Sequence, residues 1–169
     1  MRHPEVLTCI ASIYEPHTYL ELGLHDGETF NAVRPFVKRA IGVDIKEVSL
    51  NGEIHCCTTD DFFKSFEDGV DMVFIDADHR YESAMKDLEN SLSRLNNGGI
   101  ILIHDIDPDR DELFDFGYCG DSYRLVDELE KREDINITTL PVYKEGLCII
   151  TKKQDTRVHR RKGDERLVS

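Results

Sequence analysis

Carboxylate and imidazole side chains follow five apolar runs of the sequence, and these residues are the ones best suited to do chemistry. In chain order they are Glu21, Asp44, Asp60, Asp76 with His79, and His104 with Asp105. Such groups can bind hydroxyl or amino groups of a ligand, hold a divalent cation or transfer a proton. If the apolar runs are parallel strands, their carboxyl ends meet at one edge of a sheet, where α/β proteins bind ligands. The sequence therefore predicts one binding site that draws on five strands.

Two glycines stand where the apolar run in YLELGLHDGETF, residues 19–30, gives way to a helical pattern. Gly23 permits a sharp turn, and Gly27 lets the next helix begin close to a ligand, with its free amide groups facing that ligand. Asp44 follows Gly23 by 21 residues, close to the spacing at which a βαβ unit places a carboxylate on ribose hydroxyls. This pattern predicts a ligand that carries a nucleoside.

The same segment departs from a dinucleotide-binding motif. His25 takes the place of the middle glycine of G-x-G-x-x-G, and Asp26 adds negative charge where a pyrophosphate would lie. An acidic rim of Glu21, Asp26 and Asp76 instead favours a ligand with a cationic end, such as an amine or a sulfonium. An NAD(P)-binding Rossmann oxidoreductase is therefore the first alternative rather than the preferred interpretation.

The elements that must position these residues alternate between strand and helix. We predict strands at residues 19–23, 40–44, 54–58, 71–76 and 100–103. Helices are expected at 6–14, 28–34 and 61–66, and from Tyr81 to a stop at Asn97-Gly98-Gly99. Asp121 is expected to cap a fifth helix, and strands 135–142 and 147–151 should pair around the turn YKEG. The predicted fold class is α/β: a Rossmann-like, doubly wound, mostly parallel sheet with a C-terminal antiparallel hairpin.

Composition predicts one domain, residues 1–151, followed by a basic tail, residues 152–169, that we expect to be disordered. The whole chain has a net charge of −13, although the tail has seven bases and three acids. Because an acidic body repels phosphate, we expect no nucleic-acid partner. The lack of a long apolar run or a signal-peptide pattern predicts a cytoplasmic protein without a membrane partner. Five cysteines without a CxxC pair are expected to be reduced thiols.

Four segments resemble, in order, the class I S-adenosylmethionine-dependent methyltransferases: ELGLHDGET, IGVDI, DMVFIDADHRYESAMKDLE and LNNGGIILIHD. They are similar to the small-molecule O-methyltransferase branch, whose fourth strand ends in FIDxDHxY. The resemblance covers residues 19–105, and the final hairpin is similar to the reversed last strand of that family. It implies the cofactor S-adenosylmethionine and methyl transfer to a small-molecule acceptor, which we expect to occur at oxygen.

The resemblance also implies roles for individual residues. It implies that Glu21, Gly23 and Gly27 border the methionine part of the cofactor. It further implies that Asp44 binds the ribose hydroxyls and that Asp60 lies near the adenine. By the same resemblance, Asp76 faces the methyl-transfer centre. A protonated hydroxyl is a poor nucleophile, and His79 is the candidate catalytic base. The alternative roles for His79 are to cap the following helix or to bond to a neighbouring carboxylate.

In metal-dependent members of the family, carboxylates at the ends of strands four and five hold a divalent cation. These positions match Asp76 and Asp105, and Mg²⁺ is the expected ion. Ile106 stands where those members place Asp or Asn, so the third ligand is missing from its usual position, and His104 or Asp107 could replace it.

The acceptor itself is left open by the sequence. A sugar hydroxyl, a phenol, a carboxylate and an amine all remain candidates, and Phe114, Phe116 and Tyr118 could form an aromatic cover over it. Few other residues are expected to cover the acceptor, so either a second subunit of a homo-oligomer holds it or the acceptor is large enough to supply its own surface. A non-catalytic S-adenosylmethionine-binding subunit is the second alternative function.

Overall fold

The computed structural model describes residues 2–115, 117–142 and 144–153. Within these residues the chain forms seven strands: β1 (Thr18–Leu22), β2 (Arg39–Asp44), β3 (Glu53–Cys56), β4 (Val70–Ile75), β5 (Leu95–His104), β6 (Ile135–Leu140) and β7 (Leu147–Lys152). The α-helices are α1 (His3–Tyr14), α2 (Glu28–Val33), α3 (Thr59–Ser65), α4 (Tyr81–Arg94) and α5 (Arg124–Leu129). The predictions that concern Phe116, the turn residue Tyr143 and the tail from residue 154 onward lie outside the described residues.

One mixed sheet runs through the molecule with the strand order β3-β2-β1-β4-β5-β7-β6. Strands β1 to β5 are parallel to one another, whereas β7 is antiparallel to both β5 and β6. The predicted fold class is therefore confirmed. The chain moves outward from β1 to β3 and then returns to place β4 on the other side of β1. This reversal opens a crevice at the carboxyl ends of β1 and β4.

The central strands are mostly apolar because helices cover both faces of the sheet. In β1, Leu20 and Leu22 face the core formed with α3, α4 and α5, whereas Tyr19 faces the core formed with α1 and α2. All five residues of β1 are buried. Burial on both faces holds the ends of β1 and β4 in fixed positions, as a binding site between them requires.

A predicted helix stop and a predicted helix cap differ from the structure. The stop at Asn97-Gly98-Gly99 is wrong: α4 ends at Arg94, Leu95 is extended, and β5 begins there because Leu95 pairs with Val70 of β4. Asp121 does not cap α5, whose N-cap residue is Tyr123. Instead, the backbone N–H of Tyr81 donates a hydrogen bond of 2.7 Å to Asp121 Oδ1, so Asp121 caps the distant α4.

Helix α1 begins at His3, three residues before its predicted start, and this extension brings His3 over the sheet. Helix α2 ends at Val33, next to a 3₁₀ turn that contains Pro35, a residue that cannot continue the helical hydrogen bonds. All five cysteines are free thiols, as predicted. Among the described residues, no helix combines the length and apolar character needed to cross a membrane.

Candidate active site

A cleft of ≈ 590 Å³ opens at the strand-order reversal, between the carboxyl ends of β1, β2 and β4 and the side of α4. The residues that line it include Gly23, Asp44, Asp60, Ala77, Asp78 and Asp87. Three of these, Gly23, Asp44 and Asp60, are predicted cofactor-binding residues. The volume lies within the range of pockets that bind small molecules or cofactors.

Gly23 shapes the cleft through its backbone. Its φ angle is +88°, in the left-handed region that favours glycine. A Cβ atom at this position would lie 2.6 Å from Cα of Ala77. The backbone N–H of Gly23 donates a hydrogen bond of 2.8 Å to the carbonyl oxygen of Val43. The absence of a side chain therefore lets β1, β2 and the segment after β4 converge on one point.

Asp44 connects the loops that follow β1 and β2. Its Oδ2 atom accepts hydrogen bonds from the backbone N–H groups of Leu24 (2.8 Å) and His25 (3.1 Å), and its Oδ1 atom accepts one from Lys46 (2.8 Å). Partial burial raises the pKa of Asp44, but these hydrogen bonds outweigh that effect and lower it below its ordinary value. A carboxylate can accept about four hydrogen bonds, so Asp44 retains capacity for a ligand hydroxyl.

Acidic side chains also line the far end of the cleft. Asp60 accepts a hydrogen bond of 2.5 Å from Nζ of Lys86, which links α3 to α4. Asp87 is only 2% exposed, and its burial, assisted by the nearby charges of Asp60 and Asp78, raises its pKa to about 6. The sequence analysis missed Asp87, although its position three residues after buried Ala84 was an available signal.

Two predicted cofactor-binding residues lie behind the cleft rather than on its lining. Glu21 is 1% exposed and accepts a hydrogen bond of 2.5 Å from the hydroxyl of Tyr19. Burial raises the pKa of Glu21 well above its ordinary value. Gly27 adopts a left-handed conformation at the N-cap of α2, where a Cβ would lie 2.5 Å from the side chain of Leu50. Both residues shape the loop after β1.

The predicted catalytic and metal-binding residues come together next to this cleft. His79 Nε2 lies 3.1 Å from Asp105 Oδ2 and 3.7 Å from Asp76 Oδ1. His104 Nδ1 lies 3.3 Å from Asp76 Oδ1 and 3.1 Å from Asp105 Oδ1. We call Asp76, His79, His104 and Asp105 the acid–imidazole cluster. Ala77 and Asp78, which follow Asp76 directly, line the cleft, so a single loop after β4 joins the two features.

The two imidazoles stabilise negative charge in the acid–imidazole cluster. Burial raises the pKa of Asp76, but hydrogen bonds with His104 and His79 outweigh this effect and lower it far below its ordinary value. Burial disfavours the protonated form of His104, yet its carboxylate partners raise its pKa to about 10. The pKa of His79 is raised in the same way, against the effect of burial.

The loop between β5 and α5 fixes the orientation of His79 and Asp105. His79 Nδ1 contacts the backbone carbonyl oxygen of Tyr118, which requires a proton on Nδ1. The Ser122 hydroxyl donates a hydrogen bond of 2.6 Å to the backbone carbonyl oxygen of Asp105. Asp105 has a φ of +62°, a sparsely populated conformation that is often found at functional sites. The helix-cap alternative for His79 is not supported, since Asp121 caps α4.

Two residues that the sequence analysis missed complete the surroundings of His104. The ring of His3, from α1, lies 4.1 Å from the His104 ring between centroids. Burial, with the charge of His104, lowers the pKa of His3 to about 4. Oε2 of Glu145, from the turn between β6 and β7, lies 3.5 Å from His104 Nε2. His3 precedes the first predicted helix and Glu145 lies in the predicted hairpin turn YKEG, so no sequence signal pointed to either residue as part of the site.

The acid–imidazole cluster could hold one metal ion. Asp76, His104 and Asp105 each offer a ligand atom, and these atoms lie within 4.8 Å of one another. Of the two replacement ligands that the sequence offered, His104 belongs to this group, whereas Asp107 is exposed. Of the aromatic cover residues, Tyr118 is 57% exposed and Phe114 is 41% exposed.

A family described as "Methyltransferase domain" matches residues 9–106. Among solved structures, an O-methyltransferase from Bacillus cereus in complex with SAH has a TM-score of 0.71 and 15% identity, over 88% of this chain and 80% of that chain. The O-methyltransferase TomG from Streptomyces achromogenes, in complex with SAM, has a TM-score of 0.70 and 16% identity, over 89% of this chain and 79% of that chain.

An rRNA methylase from Streptococcus thermophilus has the same fold, with a TM-score of 0.65 and 10% identity, over 89% of this chain and 94% of that chain. At these identities the likeness concerns the fold, and this fold serves acceptors of different classes. No curated protein sequence matches the chain.

Proposed function

The chain belongs to the methyltransferase-domain family, and from this premise we propose that it transfers a methyl group from S-adenosylmethionine to an oxygen atom of a small-molecule acceptor. The observation that carries the proposal is the direct junction of the cleft and the acid–imidazole cluster. Ala77 and Asp78 line the cleft, and Asp76 lies in the acid–imidazole cluster. A ligand in the cleft could thus present its reactive end to Asp76 and His79.

The cleft has the groups that an adenosyl sulfonium requires. Asp44 would accept hydrogen bonds from the ribose hydroxyls, and Asp60 and Asp87 lie where they could accept a hydrogen bond from the adenine amine. Ile45, which is 71% exposed, offers apolar surface that the adenosyl group would cover. The SAH and SAM bound to the two O-methyltransferases of the same fold support this choice of cofactor.

The reaction would be an in-line displacement. The acceptor oxygen attacks the methyl carbon, a carbon–oxygen bond forms, and the carbon–sulfur bond breaks with its electron pair moving to sulfur. S-adenosylhomocysteine is the second product. Positioning of the two reactants in adjacent sites supplies much of the rate enhancement in a reaction of this type.

His79 is the residue that would take the acceptor proton. Its Nδ1 atom contacts the carbonyl oxygen of Tyr118, and this contact keeps the proton on Nδ1 and leaves Nε2 as the basic nitrogen. Nε2 faces the carboxylates of Asp76 and Asp105, at 3.7 and 3.1 Å. The imidazole must be neutral at Nε2 before it accepts the proton, and the two carboxylates stabilise the imidazolium that results.

A divalent cation fits the same region, because Asp76 and Asp105 present oxygen ligands close together. Such a cation would lower the pKa of an acceptor hydroxyl. Within this proposal the acceptor is a small hydroxyl compound. The acidic surface argues against a polynucleotide acceptor, since the whole chain has a net charge of −13.

Two experiments test the proposal in sequence. Calorimetry should show that S-adenosylhomocysteine binds, whereas NAD and NADP do not. Radiolabelled methyl transfer from S-adenosylmethionine should then be measured on a panel of catechol, caffeate, glucose and a simple carboxylate. Binding of NAD alone would support the oxidoreductase alternative and reject the proposal. Binding of S-adenosylhomocysteine without transfer to any member of the panel would favour the non-catalytic subunit.

A further inference from the structure

His104 lies between three acidic side chains at the end of β5. Its Nδ1 atom faces Asp76 and Asp105, at 3.3 and 3.1 Å. On the other side of the ring, Nε2 is buried and makes no hydrogen bond to any described residue. Oε2 of Glu145 lies 3.5 Å from it. Burial of a polar atom without a hydrogen-bond partner costs free energy, so the position of this nitrogen calls for an explanation.

The proximity of Glu145 to Nε2 is similar to the surroundings of a metal-binding histidine. Such a histidine binds the ion through one nitrogen and donates the N–H of its other nitrogen to a carboxylate, which fixes the tautomer and the orientation of the ring. His104 can bind through Nδ1, on the side of Asp76 and Asp105, because Glu145 is placed to accept the proton on Nε2. The Glu145 carboxylate is 24% exposed, so the contact is largely shielded from water.

The turn that carries Glu145 is fixed against the end of β5. His104 pairs with Leu147 in the antiparallel ladder between β5 and β7. The backbone N–H of Asp107 donates a hydrogen bond of 2.9 Å to the carbonyl oxygen of Glu145. Gly146 has a φ of +78°, and a Cβ there would lie 2.8 Å from the Asp107 backbone nitrogen. The position of Glu145 beside His104 therefore results from the closing hairpin.

We propose that Asp76, His104 Nδ1 and Asp105 form a mixed nitrogen–oxygen site that selects a later first-row transition-metal ion, such as Co²⁺ or Ni²⁺, over Mg²⁺, and that Glu145 positions His104 for this role. Mg²⁺ prefers all-oxygen ligands and keeps several waters, whereas imidazole is a good ligand for transition metals. The inference deepens the proposed function, on which it rests for the role of the ion. It replaces the Mg²⁺ expected from the sequence.

The affinity test uses chelator-treated full-length protein without cofactor or acceptor. Calorimetry with CoCl₂, NiCl₂ and MgCl₂ should show at least tenfold tighter binding of Co²⁺ and Ni²⁺ than of Mg²⁺. His104→Asp makes the site all-oxygen, so the preference should fall to threefold or less. Equal affinities in the wild-type protein, no binding of any ion, or an unchanged preference in His104→Asp would each overturn the proposal.

A spectroscopic test reports ligation directly. Pulsed electron paramagnetic resonance of the Mn²⁺-loaded protein should detect coupling to a ring nitrogen, which His104→Asp should remove and His79→Gln should retain. Coupling that survives in His104→Asp and disappears in His79→Gln would assign the nitrogen ligand to His79 and reject the proposal.

The role of Glu145 needs its own variant. Glu145→Gln should weaken Co²⁺ binding by roughly 10–100-fold, the usual effect of losing such a partner, and should shift the visible absorption bands of the Co²⁺ protein. The exposed Glu130→Gln is the matched control and should change neither property. An unchanged Co²⁺ spectrum and affinity in Glu145→Gln would reject the positioning role. All these measurements omit the cofactor, so their failure is separate from failure of methyl transfer.

Discussion

The backbone of Ala77, directly after Asp76, passes so close to Gly23 that a Cβ atom on the glycine would lie 2.6 Å from the Ala77 Cα atom. The glycine at the end of β1 and the segment that carries Asp76 are thus packed against each other. Any side chain at Gly23 would move the loop after β4. That movement would disturb both the cleft and the acid–imidazole cluster.

Gly23→Ala should therefore destabilise the fold strongly. The left-handed φ of +88° and the clash with the Ala77 backbone act together, and we expect a loss of about 3 kcal/mol or more in the free energy of unfolding. Chemical denaturation followed by circular dichroism measures it. Gly117→Ala is the control, since a Cβ there has one neighbour, at 3.4 Å. Equal stability of the two variants would contradict the close packing.

Asp44→Asn should weaken the binding of S-adenosylhomocysteine at least tenfold. A hydrogen bond from a ribose hydroxyl to a charged acceptor contributes about 1.5–3 kcal/mol, and the amide has only one acceptor oxygen. Because Asp44 also holds three backbone N–H groups, a modest fall in melting temperature should accompany the change. Calorimetry measures the affinity, and the exposed Glu47→Gln should bind as the wild type does. An affinity of Asp44→Asn equal to that of the control would remove Asp44 from the site.

Asp87 should make the stability of the cofactor-free protein depend on pH. Its folded pKa of about 6 lies above the ordinary aspartate value of 3.8, so the folded state binds the proton more tightly than the unfolded state. The stabilisation is fully present below pH 3.8 and is lost as the pH rises through about 6. A shift of about two pKa units corresponds to about 3 kcal/mol.

Asp87→Asn should consequently be more stable than the wild type at pH 7.5, and the difference should shrink as the pH falls towards 4. Urea denaturation across this pH range provides the measurement. Asp127→Asn, on exposed surface, is the control and should follow the wild type at every pH. A constant difference between Asp87→Asn and the wild type would exclude titration of Asp87 as the cause.

His79→Gln should lower turnover without weakening the cofactor complex. General-base catalysis typically contributes roughly 10²–10⁴-fold, so kcat should fall at least a hundredfold on the panel acceptor that the wild type methylates fastest. His79 does not line the cleft, so the affinity for S-adenosylhomocysteine should stay within about twofold. A kcat close to that of the wild type would show that another group takes the proton.

The predicted strands match the structure because central parallel strands are buried on both faces and must be apolar. Because the carboxyl ends of parallel strands lie at the same edge of a sheet, the predicted strands also placed Asp44, Asp76 and Asp105 at that edge. Pairing between distant segments overrode a local signal at Asn97-Gly98-Gly99, where Leu95 joins Val70 of β4 instead of continuing a helix stop. Pairing with a neighbouring strand thus outweighs the local preference of these residues for a turn.

The sequence by itself determined the alternation of strands and helices, the crevice where strand order reverses, and the aspartates that follow the central strands. Only the tertiary structure decided which other groups meet them. Glu145 reaches His104 through the closing hairpin, His3 arrives from α1, and Asp121 caps a helix that precedes it by 40 residues. Periodicity along a chain reports which residues are buried, whereas contacts between segments far apart in sequence depend on how the elements pack.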